Sequence, residues 1–364
     1  MGMIENPVTG IDVSTYTIPT ETPESDGTFA WDSTTIAVVE VQAGGMHGVG
    51  YTYGHAASAL IADTLLADVV RGRDVMDIPG IHEDMRRALR NIGRPGIGMM
   101  AVSAMDIALW DCKARLLEQP LATLLGRCRD EIETYASGGF TSYIQDQLES
   151  QLQNWVEGDG FRAVKMKVGR RPAEDIDRVY AARKAIGDVA LLYVDANGAY
   201  VRKQALQKAY EFRDWGVTWF EEPVSSDDLE GLRMLRDRSP DWMEITAGEY
   251  GYEPAYFSRL FDAVDVIQPD GTRCGGVSGL LAVGSMCDAA GMPLSLHTAP
   301  TLHGHVALAL QRARHVEYFL DHSRIERMLF DGALVADHGM LRPDLSRPGL
   351  GIELKRADAE RFAA

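Results

Sequence analysis

Ala163-Val164-Lys165-Met166-Lys167-Val168-Gly169 is the stretch from which the fold can be read. Two lysines stand two residues apart in an apolar run that ends on a glycine. In a strand, alternate side chains share a face, so Lys165 and Lys167 project together and Met166 points the other way. Two ammonium groups buried on one face are costly unless anions or a substrate answer them. An exposed edge strand with solvated lysines satisfies the same pattern, so the segment alone leaves both readings open.

The surrounding chain decides between them. From about Glu131 onward, strand-like apolar runs at 132–136, 162–167, 190–194, 217–220, 243–247, 264–268, 292–296 and 316–319 alternate with amphipathic stretches of helix length, such as 175–186, 203–215, 229–238 and 276–289. Strands alternating with helices imply a parallel sheet with right-handed crossovers. Eight such units fit a closed (β/α) barrel better than an open doubly wound sheet. The last strand is expected to lack a fully regular helix behind it.

Ahead of this region the chain reads as an α+β unit. Residues 33–41 and 48–53 are β-branched and apolar, and they pair as antiparallel strands across Gly44-Gly45. Residues 19–31, which include ThrGluThrProGluSerAspGly, read as a loop by composition. Helices are expected at 56–70, 81–91 and 99–118, the last a core helix. The tail at 329–354 carries strand and turn signals and is expected to return to the N-terminal unit.

In a parallel barrel, catalytic groups collect at the C-terminal ends of the strands. Reading the strand ends in order gives Lys165 and Lys167, then Asp195 with Asn197 two beyond, Glu221 and Glu222, Glu249, Asp270, His297 and Glu317. Asp195, Glu221 and Glu249 bring three carboxylates to one barrel mouth. Singly each acid is a salt bridge or a helix cap, but three at successive strand ends repel one another unless a hard divalent cation relieves them. All-oxygen ligation favours Mg²⁺, one ion per site. His297 and Asp270, on adjacent strands, make an acid/base dyad in which the carboxylate fixes the imidazole tautomer. Glu222 points away from the face of Glu221 and reads as structural. His303 and His305 have His-x-His spacing, but the metal set is complete without them, and His303 is the better candidate to touch substrate.

Together these residues resemble the enolase superfamily, in its mandelate racemase subgroup, over nearly the whole chain. The carriers are Lys-x-Lys, the Asp, Glu and Glu ligands, and the Asp and His of the sixth and seventh strands. A second signature runs from Ala101-Val102-Ser103-Ala104-Met105-Asp106 to Asp111, followed by Pro120-Leu121 and Leu124-Leu125-Gly126. Relatives similar to muconate lactonizing enzyme carry a lysine on the sixth strand. Here Asp270, five residues before Gly275, holds that place, which selects the lysine plus histidine–aspartate site.

The resemblance implies a modified (β/α)₇β TIM-type barrel under an α+β capping domain, with the cap at 1–125, the barrel at 126–325 and a returning segment at 326–364. It implies abstraction of a proton α to a carboxylate through an enediolate on Mg²⁺. Lys167, with its pKa depressed by burial near a cation, is then the base, and Lys165 binds the substrate carboxylate and tunes Lys167. A protonated Glu317 acts as electrophilic helper. Homo-oligomers are expected on the same ground.

Two opposed acid/base groups serve a racemase or epimerase of a 2-hydroxy acid, or a dehydratase that yields a 2-keto-3-deoxy acid. The resemblance assigns specificity to cap loops, here about 19–31 and 50–56. They are hydroxyl-rich and offer Trp31, Tyr53 and His55, which points to a polyhydroxylated sugar acid. No Lys or Arg precedes Arg71. An aldarate, which wants a cation for its second carboxylate, is therefore less favoured than an aldonate, although Arg273 of the barrel could supply one. A non-catalytic sugar-acid binder is the reading from another class. Nicotinamide-dependent oxidoreduction is disfavoured, because Gly275-Gly276-Val277-Ser278-Gly279 follows a strand but lacks the dinucleotide spacing.

Composition sets the outer bounds. The 364 residues carry 36 Lys and Arg against 53 Asp and Glu, a formal charge of -17, which argues against nucleic-acid or anionic-membrane partners. Cys112, Cys128, Cys274 and Cys287 show no metal-type pairing and read as reduced thiols. Residues 1–20 show no signal-peptide pattern and no apolar run reaches spanning length, so a cytoplasmic enzyme acting on a small carboxylate is expected.

Overall fold

The computed structural model describes residues 5–364; the first four residues of the N-terminal stretch read for a leader lie outside it. Three antiparallel strands open the fold, β1 (Val8–Ser25), β2 (Ala30–Ala43) and β3 (Met46–Gly54), with β2 in the middle. The expected β2–β3 pair forms, and β1 is an additional partner on the outer edge. Residues 36–41 of β2 are buried on both faces. Ile36 and Val38 join a core continuous with the barrel, while Val39 and Val41 join a second core under the cap helices. A strand covered on both sides has no polar face to alternate with, which is why residues 36–39 read as an unbroken apolar run.

The loop expected over 19–31 is largely strand. β1 continues to Ser25 and β2 begins at Ala30, so only Asp26–Phe29 turn. Pro19 and Pro23 are tolerated because β1 is an edge strand, and a register shift between Pro19 and Glu24 absorbs the irregularity. The turn rests directly on the barrel mouth. A Cβ on Gly27 would lie 2.3 Å from Ala196 O and 2.7 Å from Val168 O. The helix expected at 56–70 forms as Ala56–Ile61 and Ala67–Val70, joined through a widened turn at Ala62–Leu66. The long core helix is Ile97–Leu116, packed on β3.

All eight barrel strands form: β4 (Ile132–Gly138), β5 (Ala163–Lys167), β6 (Leu191–Asp195), β7 (Val217–Glu221), β8 (Glu244–Ala247), β9 (Val266–Ile267), β10 (Leu294–Leu296) and β11 (Ala313–Phe319). They neighbour one another in chain order, and β11 pairs with β4 to close the ring. Tyr135, Tyr193, Trp219 and Val266 form an inner cluster. These side chains fill the barrel as a packed core below the polar strand ends, as the fold requires.

A helix, Leu320–Leu329, does follow the eighth strand, against expectation. It carries contacts between barrel and cap: Asp321 Oδ2 accepts from Thr34, and Glu326 Oε1 accepts from Tyr51. The polar positions that obscured its helical pattern are these interface groups. The tail returns to the N-terminal unit as expected. Glu353 pairs with Arg115, Arg356 with Glu40, and Ala363 bridges Tyr16.

Candidate active site

Strand register assembles the site. On β5, Val164 and Met166 point outward into the core, so Lys165 and Lys167 point into the barrel. Lys167 stands level with Asp195, and Asp195 level with Glu221. One oxygen from each of Asp195, Glu221 and Glu249 lies within 4.8 Å of the others, and all three residues are buried. Glu221 Oε1 is buried without a hydrogen-bond partner. Three hard oxygen donors converging from buried side chains, one with an unused lone pair, fit a divalent cation such as Mg²⁺.

The lysines answer the carboxylates unequally. Lys165 Nζ lies 2.6 Å from Glu221, 2.8 Å from Glu317 and 3.7 Å from Asp195. It also sits 5.2 Å from the centre of the Tyr135 ring. Lys167 Nζ lies 2.5 Å from Asp195. The expected depression of Lys167 does not appear in this charge environment. Burial pulls its pKa down, but Asp195, with Glu249 and Glu317, outweighs burial and Lys165, and the net shift is upward. The expected protonated Glu317 is also reversed. Burial raises it, yet Lys165, His297 and Lys167 together hold it down at about 2.

His297 and Asp270 form the expected dyad, Nδ1 to Oδ2 at 2.9 Å. Asp270 Oδ1 accepts from both the backbone N–H and the hydroxyl of Thr272, which fixes the carboxylate plane. His297 Nε2 lies 3.1 Å from Glu249 and 3.7 Å from Glu317. Burial lowers the pKa of the ring, but Glu249 and Glu317 push it up to about 10.

A cavity of about 290 Å³ opens above these groups, between cap and barrel. Lys167, Glu249, His297 and Glu317 border it, as do three further predicted contacts, Asn197, Trp31 and Tyr53. His55 does not. It is exposed, and its Nδ1 accepts from Ala57 N as a local cap at the start of a helix. His303 is likewise occupied elsewhere. Its Nε2 accepts from Gly271 N at 2.9 Å and its Nδ1 meets Thr298 O at 2.6 Å, so both nitrogens fix loops behind the site. Glu222 is buried in a left-handed backbone conformation, φ 38°, outside the ligand trio.

The hydroxyl-rich cap segment also serves itself more than the cavity. Ser25 bonds Thr141, and Asp26 accepts from Thr28 N and Phe29 N. Glu24 is buried and accepts from Trp31 Nε1. Arg273, Tyr250, Phe319 and His322 border the cavity without having been singled out, Arg273 excepted. Phe319 ends β11 and His322 lies just past it, at a strand end where site residues collect. That was the available signal.

Residues 11–126 match the family model described as the mandelate racemase / muconate lactonizing enzyme N-terminal domain, and residues 147–359 the one described as enolase C-terminal domain-like. The chain belongs to this family. Within the mandelate racemase/muconate lactonizing enzyme family, it is 34% identical over 334 residues to L-talarate/galactarate dehydratase of Salmonella typhimurium, covering 88% of this chain and 80% of that one. Arabinonate dehydratase of Saccharolobus solfataricus is 30% identical over 87% of this chain and 86% of its own. The 3,6-anhydro-alpha-L-galactonate cycloisomerase of Streptomyces coelicolor is 33% identical over 95% and 96%. Among solved structures, a mandelate racemase/muconate lactonizing enzyme-like protein from Rubrobacter xylanophilus superposes with a TM-score of 0.97 at 52% identity, over 98% of this chain and 100% of that one. L-talarate dehydratase from Polaromonas, complexed with Mg and L-glucarate, superposes at 0.89 with 30% identity, over 99% and 98%.

Proposed function

We propose that this family member binds Mg²⁺ through Asp195, Glu221 and Glu249 and dehydrates an aldonate, a mono-acid sugar, to a 2-keto-3-deoxy acid. The observation that carries the reading is the pairing of two proton-transfer groups, Lys167 and the His297–Asp270 dyad, at one cavity beside three convergent carboxylates. The Polaromonas relative, which holds Mg and a sugar acid, and the relatives named as dehydratases support it.

Held by Asp195, Glu221 and Glu249, magnesium would supply electrophilic stabilisation of the charge growing on the substrate carboxylate and would offset the carboxylate charge that raises the Lys167 pKa. Lys165, enclosed by Glu221 and Glu317, orients that carboxylate. Lys167 Nζ accepts the proton from Cα, and the electron pair left behind delocalises into the carboxylate. The C–O bond at Cβ then breaks as the departing oxygen takes a proton from His297 Nε2 and leaves as water. The resulting enol ketonises to the 2-keto-3-deoxy acid. Asp270 acts on His297, holding its Nδ1 so that Nε2 faces the reacting atoms.

The cavity favours one carboxylate over two. Lys167 and Arg273 are the Lys and Arg side chains bordering it among the described residues. Arg273 is already engaged, donating to Glu249 O and lying 3.5 Å from Asp270 and 3.6 Å from Glu249. Asp26, on the cap side, repels a second anion. A second reading keeps the same proton transfers but expels a ring ether oxygen in place of a hydroxyl. Its support is the cycloisomerase relative and the aromatic wall of Phe29, Trp31, Tyr53 and Phe319, apt for a sugar ring face.

The test is a screen of aldonates, aldarates and 3,6-anhydrogalactonate with Mg²⁺, detecting 2-keto acids. Turnover of aldonates is expected. Turnover of aldarates only would refute the mono-acid reading, and Cα proton exchange in D₂O without elimination would establish an epimerase instead.

A further inference from the structure

One buried imidazole beside the cavity has no partner and no part in the proton transfers. His322 follows β11, on the helix Leu320–Leu329, and is 7% exposed. Its ring is held from two sides. Tyr53 of the cap stacks on it, with centroids 3.5 Å apart and planes 14° apart, and Phe319 meets it edge-on at 5.2 Å. The preceding residue, Asp321, is tied to Thr34 of the cap and to Arg324. The ring is therefore fixed in place before any ligand arrives.

Its polar capacity is unspent. Nδ1 is sealed from solvent without a hydrogen-bond partner, so Nε2 is the nitrogen that the cavity reaches. A neutral imidazole carries one proton. A buried N–H with no acceptor is rarer in proteins than a buried lone pair with no donor, which places the proton on Nε2 and makes it a donor toward the cavity. Burial, reinforced by His297, holds the ring neutral, with its pKa pulled down to about 3. A neutral donor adds no charge to a site that must balance several, and it matches a hydroxyl oxygen.

We infer that His322 Nε2 donates to a hydroxyl on the substrate chain beyond Cβ and is a specificity-determining residue for polyhydroxylated acids. This rests on the acid-sugar reading, though the contact and the reaction can be tested apart. The group is not one of the reacting set, so its contribution belongs to binding and is expected in KM and Kd with little change in kcat.

The experiment is equilibrium binding by calorimetry with Mg²⁺ present, using D-gluconate and lactate, the latter having no hydroxyl beyond Cα. The parent protein is compared with His322→Phe, which keeps the stacked ring, and His322→Gln, which keeps a donor. Thermal melts confirm that each variant is folded. His322→Phe is expected to weaken gluconate by about three- to tenfold, the range of one neutral hydrogen bond, and to leave lactate unchanged. His322→Gln is expected to retain most of the gluconate affinity. Equal losses for both acids, no loss at all, a Gln variant as weak as Phe, or a parent that does not bind gluconate would each overturn the inference. Gluconate binding without 2-keto acid formation from any sugar acid by the parent would sink the dehydratase reading and leave the His322 contact standing.

Discussion

Lys165 and Lys167 are two residues apart on one strand, yet the structure gives them different surroundings. Lys165 is enclosed by Glu221, Glu317 and the Tyr135 ring, while Lys167 reaches the cavity. Removing Lys165 leaves two buried carboxylates without their cation, a loss on the order of 3–5 kcal/mol. Lys165→Ala is therefore expected to lower Tm sharply, whereas Lys167→Ala and His297→Asn keep the fold and lower kcat by about 10²–10⁴ or more. Melting curves and turnover of the best aldonate check both. Near-normal kcat in either of the latter variants would remove that residue from the proton transfers. The residues that converge at the barrel mouth were legible in sequence because each sits at a strand end, where a short apolar run stops on a charged group. His55 and His303 sit apart from the expected substrate contacts for one reason. Their partners, Ala57 N, Gly271 N and Thr298 O, are backbone groups, and residue type carries no trace of them.

The cap hairpin shows the same limit at the level of the element. Pro19, Pro23 and Gly27 look like a loop, but edge position lets the strand run on, and edge position is a property of the sheet. Glu24, in the segment read as a polar loop, is buried and accepts from Trp31 Nε1. Burial and the nearby Asp321 raise its carboxyl to about 8. The folded chain thus holds a proton that the unfolded chain releases near pH 4.5. Its contribution to stability is present at low pH, declines as pH rises through the interval between the two values, and is gone above about 8. Glu24→Gln is expected to abolish that decline, making the variant more stable than the parent at pH 9 by up to a few kcal/mol, roughly, and little different at pH 4. Tm measured across the range checks it, and parallel curves would refute it. The contact between β3 and the helix Ile97–Leu116 offers a packing test. A Cβ on Gly50 would lie 2.1 Å from Ala104 O, whereas one on Gly158 meets nothing within 4 Å. Gly50→Ala is expected to cost about 1–3 kcal/mol or more, and Gly158→Ala almost nothing.

Across the whole molecule, the barrel closes over an aromatic layer and gathers its charge at one mouth, where the cap turn and the helix after β11 meet it. The eightfold alternation made the barrel legible, since each unit repeats the same local pattern. The edge strand β1 was obscured by its prolines and its polar residues, and the final helix because its polar groups Asp321 and Glu326 serve the contact between cap and barrel. This concentration of carboxylates has a thermodynamic consequence. Asp195, Glu221 and Glu249 are buried close together, and a cation that binds the folded chain alone stabilises it by RT ln(1 + [L]/Kd), about 2.7 kcal/mol at a hundredfold excess over Kd. Tm is therefore expected to climb with Mg²⁺ concentration and to fall back when a chelator is added. Asp195→Asn tests whether the gain comes from this site. It removes one ligand charge, so the Mg²⁺-dependent rise should largely vanish. The same substitution leaves less repulsion among the remaining acids, so its Tm without added metal should fall less than the loss of a buried ion-pair partner alone would cause. A Mg²⁺ response in Asp195→Asn equal to that of the parent would place the stabilising cation elsewhere on this acidic surface and detach the carboxylate trio from the chemistry assigned to it.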